Sequence, residues 1–374
     1  MRAVHEPSEL IIDGGTIVAD GCTFDGSVEV QGELIRSVAP AADRTSNSAT
    51  TSDRRVARAT VVRTLDATGC LVMPGFIDVQ INGAVGVDFS TQPERVGEVA
   101  EMLPITGVTS FLPTVVSSSP SETAHAIAVL ANGPAGGWRG ARSLGVHLEG
   151  PFLNPLRRGA HRAEHLRAPS REETRTWATE SGVAMVTLAP ELVGAISLIR
   201  DLVGRGVVVC AVHTAASPSE LAAAAGMRGA THLYNAMGPT SAREPGIVGA
   251  LLAHPSLICG LIVDGIHVDP VMIAVAWRAL GPCSPEASRR WTTRSATSSL
   301  SRAAPLPRPP SPRPRRPRGC SVVTTSARCV RVRVRTSSSS GMTVASSPQL
   351  SVARWSMTRS SVSRCVFLVM SDYD

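Results

Sequence analysis

Residues 207–237 read "VVVCAVHTAASPSELAAAAGMRGATHLYNAM". A near-continuous apolar run ends on His213. Ser217 and Ser219 flank Pro218 and offer a helix N-cap, an alanine-rich stretch follows, and Gly226 supplies a stop. A second short run then ends on His232. The unit is strand, helix, strand. A strand without polar alternation is buried on both faces, as in a parallel sheet covered by helices. Both histidines fall at the same end of their strands.

The rhythm extends in both directions. Strand-like runs recur at 71–80 (LVMPGFIDVQ), 109–116 (TSFLPTVV), 142–150 (RSLGVHLEG), 184–190 (AMVTLAP) and 257–265 (LICGLIVDG), with helix-like stretches between several of them. Seven such strands predict an α/β chain closing into a (β/α)8 TIM-like barrel, an open doubly wound sheet being the second choice. Polar residues gather at or just past strand ends: Gln80 and Asn82, His147 and Glu149, His213, His232, then Asp264 and His267. In a barrel these ends converge on one face, where enzymes of this architecture place their active sites. One histidine near a strand end is usually a hydrogen-bonded structural residue. Two on successive strands, with a carboxylate, suit a catalytic metal site with one open position. His147 shares a strand face with Glu149 and reads as structural or supporting.

Outside the barrel the pattern changes. "ELIIDGGTIVAD" and "GSVEVQGELIRSVAP" alternate apolar and polar positions around glycine turns, predicting a small sandwich-like β domain over residues 1–70. The barrel would fill 71–280. Residues 281–374 are rich in Ser, Thr, Arg and Pro and contain no histidine. No eighth strand is recognisable there, so the barrel reads as incomplete and the tail as disordered or frame-shifted.

Charge follows the same division. The net charge is +7, and all 37 basic residues are arginine. Sixteen of them, against two acids, follow Glu286, so the tail carries +14 and the rest of the chain −7. "RPPSPRPRRPRG" and "RCVRVRVR" carry enough charge to bind phosphates, but no aromatic residue interleaves with either. Nucleic-acid binding by the tail therefore stands only as an alternative. Eight cysteines without a CxxC pair argue against a disulfide framework or a zinc ribbon. The first residues lack the pattern of a signal peptide, and no apolar run reaches about 18 residues. No membrane association and a cytoplasmic location are expected.

Six segments together carry a resemblance: "PGFIDVQING" (74–83), "GVHLEGPFLNPLRRGAH" (145–161), "AVHTAAS" (211–217), "THLYNAM" (231–237), "REPGIVGALL" (243–252) and "VDGIHVDP" (263–270). In this order they resemble the N-acetylglucosamine-6-phosphate deacetylases of the amidohydrolase superfamily, over roughly residues 9–280. The resemblance implies hydrolysis of N-acetylglucosamine 6-phosphate to glucosamine 6-phosphate and acetate. It implies one divalent metal ion, zinc or iron, on Glu149, His213 and His232, and carbonyl polarisation by His161. Substrate contacts would come from Ala160, His161, Asn235, Ala236, Arg243, Asp264 and His267. The family forms homodimers in which the arginine can reach the partner's site. Where many amidohydrolases place His-x-His, this chain has Gln80-x-Asn82, which favours a single-metal site. A related acetamido sugar is the alternative substrate.

The tail departs from the family. Its members end the eighth strand on an aspartate that moves the water proton, in a motif of the form Thr/Ser-Asp-Ala. Between Glu286 and Asp372 this chain has no acid at all. Out-of-frame reading of GC-rich DNA yields Arg, Pro, Ser, Thr and Cys, the composition seen here. Impaired catalysis is the expectation.

Overall fold

The computed structural model describes residues 9–19, 22–32, 34–41, 62–134, 136–254 and 256–280, together with three short strands in the tail. The chain divides into two compact units.

The first unit holds a five-stranded sheet of β1 (Glu9–Ala19), β2 (Cys22–Gln31), β3 (Leu34–Pro40), β4 (Val62–Asp66) and β5 (Leu71–Val72). β2 runs antiparallel between β1 and β3, while β4 and β5 pair with β1 in parallel. Ile12, Ile17, Val28 and Val72 are buried in its core. A sandwich was expected; the described residues form this single sheet.

The second unit begins with β6 (Phe76–Ile81), which leads into a tight hairpin of β7 (Gly83–Ala84) and β8 (Val87–Asp88). Then come α1 (Val96–Met102), β9 (Val108–Val116), α2 (Pro120–Asn132), β10 (Arg142–Ser143) and β11 (Val146–Glu149). β12 (Val183–Leu188), α3 (Ala195–Gly204), β13 (Val208–Ala211), α4 (Pro218–Ala223) and β14 (Gly229–Ala230) follow. α5 (Gly246–Ala253), β15 (Ile258–Cys259), β16 (Leu261–Ile262) and α6 (Pro270–Leu280) complete the run. From β6 through β9, β11, β12, β13 and β14 to β15, each strand pairs in parallel with the next in chain order. Sequential parallel strands with intervening helices are the wall of a TIM-like barrel.

Local chemistry explains the connections. Ser217 caps α4: its hydroxyl accepts from the Glu220 N–H, and the Glu220 carboxylate accepts from the Ser217 N–H. Ser119 and Glu122 do the same for α2, and Pro218 and Pro120 stand at first helical positions. Leu148, Val186, Val209, Leu198, Ile199 and Leu202 lie in one continuous core of strand and helix side chains. No helix among the described residues is long and apolar enough to cross a membrane.

The barrel's far edge differs from the expectation. β16 pairs in parallel with a strand from the tail, Leu261 opposite Leu368 and Ile262 opposite Val369. The same tail strand lies against β6. The eighth position, expected to be missing, is thus occupied over two residues. In chain order that strand follows β17 (Arg335–Ser337) and β18 (Gly341–Thr343), an antiparallel pair, and is β19 (Leu368–Val369). The remaining tail, and with it the expected disorder and the nucleic-acid alternative, lies outside the described residues.

One buried carboxyl makes a stability prediction. Asp78 on β6 is 7% exposed and accepts only the Gln80 N–H at 3.0 Å among the described residues. Burial pushes its pKa up to about 7, against the lowering effect of that hydrogen bond. The folded state therefore keeps a proton that the unfolded chain has already released. Stability from this group is fully present below about pH 4 and declines by on the order of 4 kcal/mol as pH rises to about 7. Asp78→Asn keeps the amide acceptor and removes the ionisation. Denaturant melts between pH 5 and 8 should show a flatter decline for the variant; identical slopes would refute the buried-acid account.

Candidate metal centre

Three strand ends bring three ligands together. Glu149 closes β11, His213 stands two residues past β13, and His232 two residues past β14. All three side chains are buried, and their ligand atoms lie within 4.8 Å of one another. Glu149 Oε1 is 2.9 Å from His232 Nε2 and 3.6 Å from His213 Nε2. The rings stack edge to face, with centroids 5.1 Å apart for His213 and His232 and 4.5 Å for His161 and His213.

The backbone is bent to achieve this. His213 and His232 have φ of 48° and 29°, in the left-handed region that side-chain-bearing residues avoid. Tyr234 and Ala236 share that region. Such positions cost about 1–3 kcal/mol each and persist where surrounding contacts over-determine them. The contacts here are explicit. His213 Nδ1 donates to the Arg157 carbonyl at 2.7 Å, and the His213 carbonyl accepts from the Asn154 N–H. Gly159 passes so close that a Cβ there would stand 2.9 Å from His213 Cε1.

Glu191, just past β12, ties these loops. Its carboxylate accepts from Asn154 Nδ2 at 2.8 Å, the Ala215 N–H at 2.7 Å and Thr214 Oγ1 at 2.5 Å. Sequence reading passed over it, although an acid directly after the "TLAP" strand end was the available signal.

Electrostatics suit a cation. Burial pushes the Glu149 carboxyl up, but its close contacts to the His213 and His232 rings, with a hydrogen bond from His232 at 2.9 Å, and the nearby imidazole charge hold it well below the usual carboxylate range. Burial lowers His232, yet its hydrogen bond to Glu149 and that carboxylate's charge raise it overall. His161 is pulled down to about 4 by burial and by its neighbours His213 and His232, against the pull of Glu149. Its Nε2 stands 3.9 Å from Glu149 Oε2.

The donor set fits a divalent ion. A carbonyl can only accept, so His213 carries its proton on Nδ1 and presents the Nε2 lone pair to the cluster. Two imidazoles and a carboxylate form a three-ligand set of the catalytic zinc type. Gln80 Nε2 donates to Glu149 Oε1 at 2.9 Å, while Gln80 Oε1 and Asn82 Oδ1 are buried without a partner among the described residues.

His147 lies apart from the ligands. It is fully buried, with Nδ1 at 3.1 Å from the Val79 carbonyl and Nε2 at 2.8 Å from Thr187 Oγ1. Burial lowers it to about 4, so it is neutral and joins three strands of the wall.

The expected substrate residues sit on the surrounding loops. Asn235 and Ala236 stand three and four residues past His232, the Asn235 N–H donating to the His232 carbonyl. Ala160 and Arg243 are exposed, and Arg243 makes no hydrogen bond among the described residues. Asp264 Oδ2 meets His267 Nδ1 at 2.6 Å on the loop after β16.

No protein-family model matches the chain. Curated sequences do. The chain is similar to N-acetylglucosamine-6-phosphate deacetylase of Bos taurus, 43% identical over 229 residues, covering 57% of this chain and 56% of that protein. It is 38% identical over 228 residues to the Bacillus subtilis enzyme of the same name, covering 56% and 55%. It thus spans a little over half the length of these relatives. In structure it is similar to a mutant N-acetyl-D-glucosamine-6-phosphate deacetylase from Mycobacterium smegmatis in complex with N-acetyl-D-glucosamine-6-phosphate. That likeness has a TM-score of 0.62 and 30% identity, and covers 75% of this chain and 69% of the other.

Proposed function

The chain belongs to the N-acetylglucosamine-6-phosphate deacetylase family, and from that premise we propose that its site is built to hydrolyse the acetamide of N-acetylglucosamine 6-phosphate. The products are glucosamine 6-phosphate and acetate, a step in amino-sugar breakdown in the cytoplasm. The observation that carries this reading is the buried cluster of Glu149, His213 and His232 with His161 beside it. Those three ligands would hold one zinc or iron ion, which when bound supplies Lewis acidity for water activation and carbonyl polarisation.

The chain's own residues do the rest. His161 donates from Nε2 to the acetamide oxygen, where negative charge grows in the transition state. Asn235, the Ala236 backbone and His267, oriented by Asp264, hold the sugar phosphate, and Ala160 shapes the entrance. Arg243 meets the phosphate through two parallel hydrogen bonds, a geometry that suits guanidinium. The resemblance implies a homodimer in which this arginine reaches the neighbouring site, and Arg243 is exposed as that role requires. Between Glu286 and Asp372 no acid stands where the resemblance expects the aspartate, so turnover is expected to be impaired while the binding groups remain.

Binding therefore tests the reading. Calorimetry on the zinc-loaded full chain should show N-acetylglucosamine 6-phosphate binding more tightly than glucose 6-phosphate. Arg243→Ala should weaken it by at least about 10-fold, the loss of a charge-assisted phosphate contact. Equal affinity for the two sugars, or no effect of the substitution, would overturn the assignment.

A further inference from the structure

We infer that Ser117 is a positioning residue that sets which ring nitrogen of His161 carries the proton. The inference rests on the deacetylase reading for what that proton does, but its geometry stands alone. Ser117 follows the last residue of β9, and its backbone N–H and its hydroxyl both face His161 Nδ1. The Ser117 N–H points at that nitrogen at 3.3 Å, and Oγ lies 2.8 Å from it. A backbone N–H can only donate, which makes Nδ1 the acceptor, and the hydroxyl, whose contact is the shorter of the two, then donates to the same nitrogen and supplies most of the preference. The proton of the neutral ring then resides on Nε2, the nitrogen facing Glu149. His161 thereby presents a donor to the metal centre. The other tautomer would present a lone pair, which cannot stabilise a developing oxyanion.

The surroundings are shaped for this contact. Gly150, next after Glu149, has φ of 89°, and a Cβ there would stand 2.2 Å from Ser117 Oγ. The residue following the carboxylate ligand is thus one that leaves room for the serine. The ring cannot turn away freely, since it is 6% exposed and lies edge to face against His213. Arg158 donates to the His161 carbonyl at 3.1 Å and fixes the loop on its other side.

The test reads the tautomer directly. Nitrogen NMR of the zinc-loaded full chain with ring-labelled histidine, His161 being assigned by its absence in His161→Gln, should show Nε2–H alone. Ser117→Ala keeps the backbone donor and loses the hydroxyl, so the Nδ1–H form should become detectable. Ser117→Thr should restore the wild-type signals. Where turnover is measurable, Ser117→Ala should lower kcat by about 10-fold with KM little changed. A wild-type ring protonated on Nδ1, or a Ser117→Ala spectrum identical to wild type, would overturn the inference. A correct tautomer in a chain that fails to discriminate the acetamido sugar would leave Ser117 standing and reject the deacetylase reading instead.

Discussion

Glu149→Gln should abolish the stabilisation of this chain by zinc. In the wild type the carboxylate is buried among three imidazoles, and burial alone would have neutralised it. It stays charged because those imidazoles surround it, and that arrangement is the one a divalent cation completes. The amide is nearly isosteric and can still reach His232, so the fold is preserved. It brings no charge, and neutral amides are poor zinc ligands. Affinity should fall at least about 100-fold. By linkage, zinc at 100 times the wild-type Kd raises unfolding stability by about 2.7 kcal/mol, whereas the variant at the same concentration gains about 0.4 kcal/mol or less. Thermal melts with and without zinc measure both. His254→Ala, which removes an exposed imidazole bonded only to Ser256 among the described residues, should respond to zinc as wild type does. An undiminished zinc response in Glu149→Gln would place the ion elsewhere.

That centre was legible in the sequence because its ligands terminate strands. Apolar runs ending on Glu149, His213 and His232 announce both the wall and the positions at its rim, while the choice of these three among the other polar strand ends came from the family resemblance. The supporting residues were not legible. Ser117 reaches His161 across 44 positions and Gln80 reaches Glu149 across 69, with nothing periodic about either pairing. Glu191 ties loops 37 and 23 positions away. Such contacts follow from where the wall places the loops, and no local pattern in the chain encodes them. β19 escaped for a different reason. Two paired residues in an arginine-rich tail carry no periodicity, although "CVFLVM" at 365–370 is the longest uninterrupted apolar run there. The N-terminal sheet was read correctly as β structure from its alternation, but alternation does not say whether a second layer covers it.

Turnover of N-acetylglucosamine 6-phosphate should lie at least about 100-fold below that of an intact relative under the same zinc loading, because a positioned proton-transfer group contributes typically 10²–10⁴-fold. Hydrolysis of an amide needs a proton removed from water and a proton delivered to the leaving amine. Within the cluster no described group is free to do both. Glu149 is committed to the ligand set, and His161, pulled down to about 4 with Nδ1 engaged by Ser117, is a donor rather than a base. His147 is occupied by Val79 and Thr187. Glu191 already accepts three hydrogen bonds. After Glu286 the sequence offers only Asp372 and Asp374. Asp372 follows β19 by three residues, which makes it the one acid worth removing. Acetate release by the full chain and by Asp372→Asn decides the matter. Equal, low rates in both would match a centre that binds metal and sugar without a base. A rate near that of the relative, abolished in Asp372→Asn, would overturn the expected impairment and give the tail a catalytic role.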